Sequence, residues 1–110
     1  MAERVADRIA QAAREAATLA HRVQQGEFRV WEKAPGNPVC EVDLAVDALL
    51  RERLAEIDPA AGWLSEETAD NADRLAAERV WVVDPIDGTR DFVRRRSGWA
   101  VSVALVERGQ

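Results

Sequence analysis

In 110 residues this chain has one cysteine, Cys40, and one histidine, His21. With Cys40 alone no intrachain disulfide can form, which suits a reducing compartment. His21 has neither a second histidine nor a nearby cysteine to share a zinc ion, so it reads as a last-turn helix residue rather than a ligand. No apolar run approaches the ~20 residues of a membrane span. The first eight residues, Met1 to Arg8, are charged throughout and lack the apolar segment of a secretory signal. The expected location is therefore the cytoplasm. Basic excess is missing too. A net charge of −5 argues against a nucleic-acid polymer as partner. A small anionic substrate stays open, because bound cations would reverse the local sign.

What remains is a globular composition, 47% hydrophobic and 32% charged. From about Glu3 to Gln24, apolar residues recur at helical spacing (Val5, Ile9, Ala12, Ala13, Ala16, Ala20, Val23), and Gly26 offers a stop. Residues Phe28 to Lys33 alternate loosely and predict a strand; Ala34 to Pro38 reads as a loop. A second helix is expected from Glu41 to Ile57, with Val46, Leu50, Leu54 and Ile57 on its buried stripe, closed by Asp58-Pro59. Trp63-Leu64 predicts a short strand, followed by a polar loop or short helix from Thr68 to Glu78. The run Val80 to Val83 is apolar enough to predict a strand covered on both faces. Trp99 to Val106 alternates as a last strand. The order helix, strand, helix, then strands predicts an α+β layered fold in a single domain, residues 1–110.

Chemistry concentrates where strands end. The run Val80-Trp81-Val82-Val83 leads into Asp84-Pro85-Ile86-Asp87-Gly88-Thr89, and Gly62-Trp63-Leu64 leads into Ser65-Glu66-Glu67. Mg²⁺ takes hard oxygen ligands, usually a few carboxylates completed by water and phosphate. Asp84 and Asp87 around Pro85-Ile86 suit it, with the proline fixing chain direction. Gly88 allows close approach of backbone to a ligand, and a helix starting at Thr89 would present amides to an anion. Each element has a plainer reading: Asp-Pro-x-Asp-Gly-Thr as turn chemistry, Glu66-Glu67 as a solvated pair, Arg94-Arg95-Arg96 as a solvated loop rather than a second phosphate site. The combination favours a cation site.

These residues carry a resemblance. Trp81 to Thr89 followed by Phe92 resembles the signature of the inositol monophosphatase superfamily. Leu64-Ser65-Glu66-Glu67, the segment Asn37 to Asp43, and Lys33 before it are similar to further family elements in the same order. The resemblance implies the N-terminal, metal-binding portion of a longer phosphatase, folded as a layered α/β sandwich of the inositol monophosphatase type. It implies Glu66, Asp84 and the Ile86 carbonyl at one Mg²⁺, and Asp84 and Asp87 at a second, joined by an aspartate from a C-terminal half. Glu66 and Thr89 would activate a water for in-line attack on phosphorus, and Asp43 would polarise the Thr89 hydroxyl. Substrate would meet Glu66, Ile86, Asp87, Gly88 and Thr89. Leu-Ser-Glu-Glu and Arg90-Asp91-Phe92 resemble the bacterial 3'(2'),5'-bisphosphate nucleotidases, which implies hydrolysis of adenosine 3',5'-bisphosphate to AMP and phosphate. An inositol monophosphatase acting on inositol 1-phosphate, an inactive Mg²⁺-binding fragment, and an acidic interaction domain are the alternatives. A full-length form could pair as a homodimer. Cys40 replaces the family's usual Ser or Thr three residues before Asp43, a weak cap in a capping-box spacing.

Overall fold

The computed structural model describes residues 4–34, 37–65 and 78–108. The predicted acids Glu66 and Glu67, most of the Thr68–Glu78 segment, and residues 35–36 of the expected loop lie outside the described residues. Described elements run α1 (Val5–Gln24), β1 (Val30–Ala34), β2 (Asn37–Cys40), α2 (Glu41–Ile57), β3 (Gly62–Ser65), β4 (Arg79–Asp87), α3 (Thr89–Val93) and β5 (Ala100–Glu107).

Alanine at every fourth position gives α1 a narrow buried stripe: Ala12, Ala16 and Ala20 are almost fully covered. Such small side chains let α1 lie close against α2, whose Val42, Val46, Leu50 and Leu54 fill the interface and reach the sheet. Truncating one of the buried leucines to alanine would cost about 2–5 kcal/mol, since the cavity cannot collapse fully. Two expected stripe residues sit at its margins. Val5 is 49% exposed at the first position of α1, and Ile57 is half-buried at the end of α2.

The strands form two sheets. β1 and β2 make an antiparallel ribbon, and β3, β4 and β5 make a three-stranded sheet with β4 central. The ribbon corrects the expected loop: Ala34 belongs to β1, and Asn37 and Pro38 to β2. Proline is tolerated because both strands of a two-stranded ribbon are edges, where a missing N–H costs little. The first strand also starts later than expected, at Val30, because Phe28 is drawn inward against Phe92, the rings tilted by 53° with centroids 5.4 Å apart.

β3 runs parallel to β4, and β5 antiparallel to it. Trp81 and Val83 face the helices and are buried, while Val82 between them is 37% exposed. Val80 to Val83 is therefore not covered on both faces. Its uniform apolarity hides an ordinary alternation, because the outward positions also carry valine. β5 alternates as predicted, with Val101, Val103 and Leu105 packed toward the core.

Candidate functional site

Parallel pairing brings two chain segments to one edge of the sheet. Ser65, the last residue of β3, is the register partner of Val83, the residue before Asp84. The described chain thus arrives side by side at the two places where the acidic clusters begin.

Beyond Val83, β4 keeps its pairing with β5 but slips. Asp84 pairs with Ser102 and Asp87 with Ala100, so three steps on β4 match two on β5. This is a β-bulge rather than the expected turn. It has a direct consequence for the carboxylates. Residues three apart on a regular strand point to opposite faces, but Ser102 and Ala100 share a face, and so therefore do their partners Asp84 and Asp87. One extra residue turns two acids of opposite parity into neighbours. Asp84 is half-buried and Asp87 exposed, whereas Pro85 and Ile86 are buried.

Gly88 makes the next corner at φ +89°, a conformation that disfavours any side chain. A Cβ there would also meet the Gly98 carbonyl oxygen at 2.5 Å. The glycine is required by its own backbone neighbour, a reason the sequence reading, which invoked a ligand, did not contain. α3 begins at Thr89 as expected, and its first helical bond runs from the Phe92 N–H to the Gly88 carbonyl at 3.1 Å.

Behind this rim lies a buried polar group. Asp43 is 1% exposed in the first turn of α2. Its Oδ2 accepts the Cys40 backbone N–H at 2.8 Å and the Cys40 thiol at 3.1 Å. Its Oδ1 lies 3.2 Å from the Thr89 hydroxyl, which also lies 3.0 Å from the Ile86 carbonyl. A hydroxyl has one proton to give, so carboxylate and carbonyl compete for it. The capping box expected at Cys40 and Asp43 is formed. Burial, then the hydrogen bond to Asp43, pushes the Cys40 thiol up to about 12. It is a permanent donor at neutral pH and no nucleophile.

Sequence reasoning missed three supporting residues. Asp47, one turn after Asp43 and likewise buried, accepts the Ser65 hydroxyl, so α2 grips the ends of both parallel strands. Gln24, buried at the end of α1, donates to the carbonyls of Phe92 (3.0 Å) and Arg96 (3.3 Å). Arg95 answers by donating to the carbonyls of Gln24 and Gly26 and lying over the Phe28 ring, 5.0 Å from its centroid. Arg95 is exposed in the turn after α3, as the loop reading expected, but its guanidinium is tied to the α1 terminus. A buried glutamine at the end of an apolar stripe was the one available signal.

The donors at the rim, Asp84, Asp87 and the Ile86 carbonyl, are all hard oxygens, and the bulge sets both acids on one face. That set fits a cation such as Mg²⁺. Among the described residues no cluster of three acids, histidines or cysteines forms, the third expected acid being Glu66.

A layered α+β fold with acids at the end of its central strand is the class defined so far. Comparison with known proteins identifies it further. The chain matches the inositol monophosphatase family over residues 1–110 and belongs to it. It is 33% identical over 107 residues to the 3'(2'),5'-bisphosphate nucleotidase CysQ of Escherichia coli, covering 94% of this chain and 44% of that protein. It is 46% identical over 67 residues to the 3'-phosphoadenosine 5'-phosphate phosphatase of Mycobacterium leprae, covering 60% and 25%. The crystal structure of the extragenic suppressor protein suhB from Bartonella henselae superposes with a TM-score of 0.89 at 28% identity, over 96% of this chain and 42% of that one. The chain thus spans less than half the length of these relatives. No described helix is long and apolar enough to cross a membrane.

Proposed function

We propose that this chain supplies the cation- and phosphate-binding portion of a Mg²⁺-dependent phosphomonoesterase acting on adenosine 3',5'-bisphosphate. The observation that carries this reading is the bulge in β4, which puts Asp84 and Asp87 on one face next to the Asp43–Thr89 pair. Two exposed or half-exposed carboxylates on a chain of net charge −5 would repel a phosphate ester. They become a phosphate site only with divalent cations between. The names of the nucleotidase relatives support the substrate.

In this reading Asp84, Asp87, the Ile86 carbonyl and Glu66 hold Mg²⁺, Glu66 following directly on Ser65 in the sequence. Bound Mg²⁺ supplies the positive charge that acidifies water and stabilises the attacking and leaving oxygens. The chain's own groups do the rest. Thr89, with its proton directed to Asp43, offers an oxygen lone pair to an incoming water and fixes its line of approach. Glu66 takes the water's proton. The backbone at Gly88 and Thr89 receives phosphate oxygens. Attack on phosphorus breaks the bond to the 3'-oxygen, which leaves with the bonding pair and takes a proton from solvent water, giving AMP and inorganic phosphate.

The test is phosphate release from adenosine 3',5'-bisphosphate, inositol 1-phosphate and fructose 1,6-bisphosphate across a Mg²⁺ titration. Fastest Mg²⁺-dependent release from the bisphosphonucleoside is expected; preference for inositol 1-phosphate moves the substrate to that ester. A second reading, Mg²⁺ binding without turnover, is favoured by the coverage of under half of each relative. It predicts saturable Mg²⁺ binding and no phosphate release from any ester.

A further inference from the structure

We propose that Cys40 is a positioning residue for the Asp43–Thr89 pair, its thiol and its own backbone N–H together orienting the Asp43 carboxylate toward the Thr89 hydroxyl. The catalytic consequence rests on the phosphatase reading above; the hydrogen bonds do not.

A carboxylate held by one hydrogen bond can still rotate about its Cβ–Cγ bond and exchange oxygens. In Asp43 both donors from Cys40 fall on the same oxygen, Oδ2, at 2.8 and 3.1 Å. That leaves Oδ1 as the oxygen presented to Thr89, at 3.2 Å. Orientation matters because the Thr89 proton has a second acceptor, the Ile86 carbonyl at 3.0 Å. A carboxylate turned away from Thr89 loses the proton to that carbonyl. The same oxygen of Thr89 then has its lone pairs aimed elsewhere. Cys40 is fully buried and Asp43 nearly so, which excludes water as a substitute donor. Burial and the Asp43 hydrogen bond also keep the thiol protonated far above neutral pH, so the donor is present throughout the working range. Cys40 touches neither Thr89 nor the rim acids in any described hydrogen bond; it acts through Asp43 alone.

Two measurements test this. Cys40 is the only cysteine of these 110 residues, so the chain gives one S–H stretching band. Raman spectroscopy should find it at lower frequency in the folded protein than in the same chain in denaturant. A band at the denatured position overturns the proposal, whatever the protein's activity. The second measurement is turnover with Mg²⁺ and adenosine 3',5'-bisphosphate. Cys40→Ala should lower kcat by about tenfold with KM unchanged, the worth of one hydrogen bond to a charged group, and Cys40→Ser should restore it. On a Thr89→Ala background Cys40→Ala should add no further loss, because the effect runs through that hydroxyl. A lowered melting temperature with unchanged kcat, or a full extra loss on the Thr89→Ala background, overturns it. Should Cys40→Ala fail to fold, the S–H band and the kcat of Cys40→Ser still decide. Unsubstituted protein that releases no phosphate selects the second reading, Mg²⁺ binding without turnover, and overturns the catalytic consequence, while the band decides the hydrogen bond separately.

Discussion

The rim of the site and the group behind it are built on opposite principles. At the rim, Asp84 and Asp87 stand half-buried and exposed on a bulged strand end. Behind it, Asp43 is sealed from solvent, with both oxygens engaged by Cys40 and Thr89. The buried group is finished by folding alone. The rim acids, in the reading proposed above, would be completed by a cation. A carboxylate that only orients a hydroxyl is best kept dry and hydrogen-bonded, where its geometry cannot drift. One that binds a cation must remain reachable by it and by water.

The contrast can be broken from either side, and the largest effect is expected at the rim. Asp87→Asn should abolish Mg²⁺-dependent phosphate release while leaving the melting temperature unchanged, because the exposed side chain contributes nothing to packing. A large drop in melting temperature would mean that the rim is structural after all. Phe92→Ala should damage both regions at once. Its ring lies between Phe28 and Trp99, with centroids 5.4 and 5.1 Å away, and is fully buried. A loss of about 3–5 kcal/mol in urea unfolding is expected.

Thr89→Ala acts at the seam between the two regions. Turnover should fall about 100-fold with little change in stability, and Thr89→Ser should recover most of it. Equal activity of Ala and Ser variants would remove the hydroxyl from the reaction.

The buried side has its own signature in pH. The Cys40 thiol is raised from the usual 9 to about 12 on folding. Between those values the unfolded chain loses the proton and the folded one keeps it, so stability falls as pH rises from about 9 to about 12, by up to about 1.4 kcal/mol per pH unit. Below pH 9 the contribution is fully present. Chemical unfolding at pH 8, 9.5 and 11 should show this slope, and Cys40→Ser should remove it. Smallest is the effect of Cys40→Thr, whose hydroxyl caps a helix better than a thiol and should stabilise by about 1 kcal/mol. A melt without gain would mean that the added methyl group strains the tight packing there.

Much of the fold was legible because it is written in local periodicity. The bounds of α2, Glu41–Ile57, follow from its apolar stripe and the Asp58-Pro59 stop. The alternation of β5 was equally plain. The run Val80–Val83 misled for a physical reason: valine on the outward positions erases the contrast by which a strand's faces are told apart. The β1–β2 ribbon was missed because proline and glycine between short strands read as a loop whether or not the flanks pair. Gln24, Arg95 and Asp47 were invisible as site supports because their partners lie far along the chain, at separations of 68, 71 and 18 residues.

The amino-acid order by itself determined which acids stand at strand ends, which glycine follows them, and which helix faces must be buried, since these depend on neighbours a few positions away. Only the tertiary structure decided that Asp84 and Asp87 share a face and that Asp43 meets Thr89 across 46 residues. The first depends on a slip in cross-strand register and the second on how α2 docks against β4. Neither is encoded in any single segment, because both are properties of the pairing between segments.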